Sequence, residues 1–429
     1  MNALTAKQDA LAAKLAGLSV PDSGAWLAPL RANAQDRLAA MGLPTRRDEY
    51  WFYTKPDTLN APQAPQAEAL DHGGEAPVFH DVDRLKLVFV DGVFAPDESD
   101  AAALEAVTIE RLAEAAHAAD HWAKPLYGTL EATGQTPVER PFAALNSAYA
   151  TDGVLIHVTG KAAKPISLIY RHESSTSDAI LHHVVKLEAG AELTLLENGP
   201  AAARFNKVLE VDVAEGAKFH HIRAQGRDHD RRAITHIFAR LSRESVFKSF
   251  TLTVNGRLTR NECVVDILGN DAVCHVAGAA MGDGDFHHDD TVFITHDAVN
   301  CESRQVFKKV LRNGAVGAFQ GKILVKEDAQ KTDGYQKSQA LLLGEDATFL
   351  AKPELEIYAD DVACSHGSTT GAIDEEAMFY LQSRGIPEVI ATDLLVLAFL
   401  ADAMEEIEDE AIREDINGRL NAWLLRRRG

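Results

Sequence analysis

From Gly153 onward the chain changes its period, and this change limits the fold more than any other feature of the sequence. Apolar and polar residues alternate in short runs at Val154 to Val158, Ile166 to Tyr170, Leu193 to Leu196, Val208 to Val213, Phe247 to Val254 and Cys263 to Leu268. No helix-length amphipathic segment interrupts them for roughly two hundred residues. Small or turn-compatible residues precede the runs at Ala191, Ala217, Ser245, Ala272 and Asn300, in steps of 26, 28, 27 and 28 residues. Later markers at Ala315, Ala329 and Ala347 come closer together, at 15, 14 and 18. A near-constant step is the mark of a solenoid whose coils touch only their neighbours. The expected fold is therefore mainly β, with a β-helix core over residues 153–372. A β-sandwich is the alternative, although nothing here supplies its longer Greek-key crossings.

Helical patterns flank this core. Residues 1 to about 60 read as helix punctuated by Pro21, Pro29 and Pro44, and Asn60 to Pro77 reads as a linker rich in Pro, Ala, Gln and Gly. A hairpin is expected near 85–95, where Asp91-Gly92 divides two alternating runs. A second helical block is expected from Thr108 to Tyr149, completing an N-terminal region of residues 1–152. At Ile373 the pattern returns to helix for a C-terminal domain, 373–429. Asp374 is placed to cap the first helix, Glu375 and Glu376 suit its positive end, and Gly385 closes it. Pro387 then opens a second helix. There Ile386, Ile390, Leu394, Leu397, Ala401 and Met404 share one face, which Leu395 and Phe399 widen. So wide a stripe needs cover, from the preceding helix or from a partner.

Charge excludes several classes of function. The net charge of −21 would repel nucleic acid and anionic membrane. Thirteen acidic residues between Asp374 and Asp415, against Arg384 and Arg413, supply about half of it. That stretch is either a solvated face or a docking face for a basic partner, and Arg426 to Arg428 reverse the sign at the end. The longest apolar run, Leu394 to Ala401, is too short to span a bilayer, and the first twenty residues do not read as a secretory signal. Four scattered cysteines without CxxC spacing suit reduced thiols, so a cytoplasmic protein is expected.

No nucleotide motif is present. The nearest approach, Gly317 to Ile323, has the wrong glycine spacing and no hydroxyl after Lys322. Three adjacent histidine pairs, His182-His183, His220-His221 and His287-His288, invite a metal reading. Neighbours on a strand point to opposite faces, however, so each pair offers at most one ligand to any site. Asp289 and Asp290 could suggest the carboxylate pair of a β-helix glycosidase, but they sit in what reads as a polar turn entering a strand. The sharpest local signal is Asp360-Asp361-Val-Ala-Cys364-Ser365-His366-Gly367. Cys364 and His366 are two apart and fall on one face of a strand, a soft thiolate beside an imidazole, suited to iron or zinc. Two ligands cannot close a tetrahedral site. Taken alone, the pair also suits a small buried cysteine and a helix-capping histidine.

Several uncommon words now coincide. They are Phe319-Gln-Gly-Lys-Ile323, Ala329-Gln-Lys-Thr-Asp-Gly-Tyr-Gln-Lys-Ser-Gln-Ala-Leu-Leu-Leu343, Lys352-Pro-Glu-Leu-Glu-Ile-Tyr358 running on to Gly367, and Phe379-Tyr-Leu-Gln-Ser-Arg-Gly-Ile386. Over roughly residues 250–400 the chain closely resembles the SufB/SufD family of iron–sulfur cluster assembly scaffolds. Weaker echoes lie at Trp51 to Thr54 and Pro141 to Asn146. The short N-terminal region with Arg47-Asp-Glu-Tyr-Trp-Phe-Tyr-Thr54 looks more like the SufD branch than the longer SufB branch. Phe52, Ala363 and Ser368 depart from the family's commoner residues.

The resemblance implies a right-handed parallel β-helix between helical ends and a non-catalytic role. It also implies a SufB-like scaffold partner engaged through the β-helices, or self-pairing when the chain is alone. A SufC-like ABC ATPase would engage the C-terminal helices and handle any nucleotide. On this chain the ATPase surface would include Ile390, Leu394, Leu397 and Phe399. A transient Fe–S cluster would be shared between chains, with His366 as the favoured ligand and Cys364 beside it. A SufB-type paralogue and a carbohydrate-active β-helix enzyme are the alternatives.

Overall fold

The structure, a computed structural model, describes residues 3–69, 76–225 and 229–426. Part of the expected linker and two of the terminal arginines, Arg427 and Arg428, lie outside the described residues. The helices among them are α1 (Ala3–Leu15), α2 (Ala28–Met41), α3 (Asp57–Asn60), α4 (Leu112–Ala115), α5 (Thr129–Thr133), α6 (Pro141–Tyr149), α7 (Glu375–Ser383), α8 (Glu388–Met404) and α9 (Glu410–Arg426).

Between them the chain winds into a two-faced parallel β-solenoid. A 10-stranded and a 9-stranded sheet take strands alternately, so from Val154–Val158 onward each strand pairs with the next but one in sequence. The ladders are parallel throughout the core: Val246 pairs with Val273, Val273 with Glu302, Glu302 with Asp333 and Asp333 with Ala363. The coil length varies along the rod, being 26 residues between Glu192 and Lys218 and 31 between Glu302 and Asp333.

The sequence markers are the residues that open the strands. Ala191, Ala217, Ser245 and Ala272 each stand immediately before a strand of the first sheet, and Asn300 stands two before. The shorter later steps arise because Ala315 and Ala347 precede strands of the opposite sheet, Val316–Val325 and Thr348–Ile357, half a coil away.

Alternation sorts the side chains. One set points into the lumen, where Leu168, Leu195, Phe219, Phe247, Val265, Phe307 and Phe319 belong to one apolar cluster. Phe307 and Phe319 stack there with centroids 4.9 Å apart. The other set is covered from outside. Val396, Leu400, Met404, Ile412, Ile416, Leu420 and Trp423 of α8 and α9 pack on Ile222, Phe250, Leu252 and Met281 of one sheet. On the other sheet, Leu38 of α2 and Phe142 and Leu145 of α6 cluster with Leu155, Ile180, Val184 and Ile234. Removing such contiguous apolar surface from water is the main driving term for a rod of this kind.

One local expectation needs correction, and the expected hairpin is present. Thr108 does not begin a helix: Val107–Arg111 is a strand, antiparallel to Val154–Val158. Its alternating Val107, Ile109 and Arg111 suit a sheet edge, and only α6 in that block exceeds five residues. The hairpin strand Leu85–Val90 likewise joins the solenoid, pairing in parallel with Ile166–Arg171 while its partner Val93–Phe94 runs antiparallel. Asp91 and Gly92, with φ of 50° and 83°, make the primed turn that such a pair needs.

The aromatic segment Tyr50 to Thr54 is a clasp. Thr54 donates its hydroxyl to Asp289 over 2.6 Å. Arg260 lies over the Trp51 ring at 4.3 Å and donates to the Tyr50 carbonyl over 2.8 Å. Lys352 and Glu354, on the last strand of that sheet, pair with Glu49 and Tyr50.

Candidate functional site at the last rung

Each sheet ends on a strand with no successor. Thr348–Ile357 closes one and Ala363–Gly371 the other. A rung inside the rod gives its lumen-facing side chains a floor and a ceiling; the final rung has only a floor. Cys364 is accordingly half-buried, while Ser365, His366, Gly367 and Ser368 are exposed.

Ladder register fixes which way these groups face. Cys364 lies over Gly334, His366 over Gln336 and Ser368 over Ser338. Gly334, Gln336 and Ser338 are buried lumen positions, whereas Asp333, Tyr335 and Lys337 between them are not. Ser338 and Ser368 hydroxyls meet at 2.6 Å, as one shared column requires. Cys364 and His366 therefore rise from the lumen side of the open end, two residues apart on one face. The expected sharing of a face holds in the folded chain.

The floor beneath them is specific. A Cβ on Gly334 would stand 3.2 Å from the Cys364 sulfur, so glycine there lets the thiol settle against Ile323. Beneath His366, Gln336 donates to Gln305 over 2.8 Å, while its own Oε1, fully buried, has no partner among the described residues. Sequence reasoning missed Gly334, Gln336 and Gln305. Adding one coil length to each candidate ligand was the signal that could have found them. Outside the rim, a shallow groove is lined by Arg304, Asp333, Tyr335, Ala363, Cys364 and Ser365. Arg304 grips Asp333 in a two-pronged pair of 3.0 and 2.9 Å, so the groove carries no unpaired cation from this arginine.

Burial pushes the Cys364 thiol above its ordinary range, aided by the nearby Asp333 charge and opposed by the Gly334 backbone hydrogen bond. At neutral pH it is a thiol, and ligation must release its proton. The other cysteines, Cys263, Cys274 and Cys301, are buried, and burial pushes Cys263 up to about 12. Among the described residues no three His, Cys, Asp or Glu side chains gather to hold a metal. A thiol and an imidazole presented on a rim fit a metal cargo whose remaining ligands come from elsewhere.

The histidine pairs divide between faces. His182 is outside, stacked on Tyr127 at 4.1 Å, while His183 faces inward to the Tyr170 hydroxyl at 3.0 Å. His220 approaches Glu408 outside and His221 meets Glu197 inside. His287 reaches Thr54 and His288 reaches Asp290. Asp289 and Asp290 point to opposite faces and are spent on Arg260 and Lys309, so they cannot flank one glycosidic bond.

The C-terminal candidates also divide. Asp374 caps α7 by accepting from the Ala377 amide over 3.0 Å. No α7 residue is buried, and Phe379 and Tyr380 are 72% and 55% exposed. Ile390 and Leu394 are exposed on α8; Leu397 and Phe399 are partly buried against the sheet, with Lys308 over the Phe399 ring at 4.6 Å. Ala391, Val396, Leu400 and Ala403 form the buried face of α8 instead. An apolar helix pair is thus half covered and half open. No helix among the described residues is long and apolar enough to cross a membrane.

Comparison with known proteins shows the family. Residues 170–399 match the family model described as SUF system FeS cluster assembly, SufBD core domain, and residues 18–168 match that of the SufBD protein N-terminal region. The chain is 29% identical over 407 residues to the iron–sulfur cluster assembly protein SufD of Escherichia coli, covering 90% of this chain and 91% of that one. It is 27% identical to an iron–sulfur cluster assembly SufBD family protein of Synechocystis, covering 88% and 86%. With SufD of Bacillus subtilis the identity is 26%, covering 65% of each.

Proposed function

We propose a specific role for this chain, which belongs to the SufBD family of iron–sulfur cluster assembly proteins: it is a non-catalytic scaffold of the SufD type. It pairs with a SufB-like scaffold through the open end of its β-helix and receives a SufC-like ABC ATPase on α7 and the start of α8. The observation that supports this reading is the last rung, where a thiol and an imidazole stand on one face of the final strand of its sheet. In the cytoplasm, where thiols stay reduced, a nascent cluster would be cargo held there briefly between two chains. His366 supplies a ring nitrogen and Cys364 a sulfur once its proton has left. Partner groups complete the coordination that two donors cannot.

The ATPase surface rests on Phe379, Tyr380, Ile390 and Leu394, apolar groups left in water on a helix pair. Nucleotide chemistry then belongs to the partner, whose cycle would strain α8 where it grips the sheet.

The test is reconstitution of the three-protein complex with His366→Ala. Cluster formation, read by iron content and visible absorption, falls sharply; an undiminished yield rejects the role. For the second surface, Phe379→Asp with Tyr380→Ser abolishes ATPase co-purification while leaving the melting temperature unchanged. Retained binding rejects that surface.

A further inference from the structure

Among the described residues, buried cations are, with one exception, spoken for. Lys207 pairs with Glu197, Lys309 with Asp290, and Arg260 with Glu262 and Asp289. Arg31 donates to the carbonyls of Ala148 and Ala150. Arg223 donates to Thr235, Thr251 and Asn261 inside the lumen, keeping only its Nε free. Arg231 is 1% exposed, and its Nε and Nη2 meet no acceptor among the described residues.

The surroundings deepen the deficit. His229 accepts the Arg231 backbone amide on Nδ1 over 2.9 Å, which leaves its Nε2–H to donate to His172 over 2.7 Å. His172 in turn donates to the Ser174 carbonyl over 2.7 Å. Both rings are thereby satisfied, and neither offers negative charge. Burial, then the neighbouring Arg223 cation, pull Arg231 down to about 9, which still leaves it charged at neutral pH. A buried guanidinium without a counter-charge is costly, and its planar fork of donors matches tetrahedral oxyanions.

We propose that Arg231 anchors a buried site for a small inorganic oxyanion of the phosphate or sulfate class. The anion would supply the missing acceptors and cancel the excess charge at this turn of the rod. It would bind the folded chain only, and so stabilise it.

Thermal unfolding of the full-length protein in phosphate, in sulfate and in chloride at matched ionic strength tests this, with phosphorus NMR or calorimetry as the direct readout. Saturable stabilisation by phosphate or sulfate over chloride is expected. The apparent affinity falls at least about tenfold in Arg231→Met, which removes the charge-assisted bonds. In anion-free buffer Arg231→Met is at least as stable as the parent, because an unpaired charge has gone. Arg240→Met, at a surface pair with Asp212, leaves the response intact. Equal responses in the three salts overturn the proposal, and that comparison needs no variant to fold. An unchanged response in Arg231→Met also overturns it.

Discussion

Glu197 offers a direct test of how the lumen is held together. Its carboxylate, at 0% exposure, accepts from Lys207, from His221 over 2.8 Å and from the Tyr170 hydroxyl over 3.0 Å. Burial pushes this carboxyl up, but Lys207, then His221 and Arg223, outweigh it and hold it well below its ordinary range. Glu197→Gln keeps the shape while removing the charge and turning an amide toward an ammonium group. Breaking one side of a buried pair costs about 3–5 kcal/mol, mostly from the charge left behind. For a cooperative unit the size of this solenoid, that is a fall in melting temperature on the order of 10 °C. The sign with pH follows from the depressed carboxyl. Its contribution is complete above the unfolded value of about 4.3 and is lost as pH falls through the folded one. The penalty of Glu197→Gln is therefore full at pH 7 and shrinks in acid. Urea unfolding followed by far-ultraviolet circular dichroism measures it, with Glu197→Gln/Lys207→Met as the compensated double variant. The reasoning fails if Glu197→Gln lies within about 1 kcal/mol of the parent, a net value typical of an ordinary neutral hydrogen bond, or if the double variant is no better than the single one.

Three further outcomes follow from named contacts. Native protein exposed to iodoacetamide labels at Cys364 before Cys263, Cys274 and Cys301, with a rate that climbs as pH rises past the ordinary thiol range; mass spectrometry showing equal labelling at all four would contradict the burial described. Gly199→Ala puts a Cβ 1.9 Å from the Tyr170 carbonyl oxygen at a φ of 106°, so the variant should lose several kcal/mol or fail to fold, and wild-type-like urea unfolding would refute the packing. Thr54→Val strips the donor from Asp289 and should cost about 1–3 kcal/mol, with earlier proteolysis of the N-terminal region as the visible sign.

The rod itself was legible because strand alternation and coil length are local, repeated properties. Ala191, Ala217, Ser245 and Ala272 mark strand entries because a small residue suits the corner where the chain turns from one sheet to the other. Cys364 and His366 were legible as a same-face pair for the equally local reason that a strand has period two. What surrounds them was not legible. Gly334 and Gln336 are about thirty residues away in sequence, and only the ladder register brings them underneath. On α8 the sequence offers apolar residues around most of the circumference, so periodicity alone could not choose the face. The sheet chose Ala391, Val396, Leu400 and Ala403, leaving Ile390 and Leu394 in water. Thr108 was misread because alanine-rich sequence near it favours helix, while pairing with Val154–Val158 overrides that preference.

The two ends of the rod are unlike. At the N-terminal end the sheets stop on Val93–Phe94 and Val107–Arg111, short strands turned antiparallel to the ladder they finish. At the other end they stop on full-length parallel strands, Thr348–Ile357 and Ala363–Gly371, that no further strand among the described residues covers. A body with a single adhesive terminus can join one neighbour and no more, so end-to-end association arrests at a pair and cannot run on into a filament.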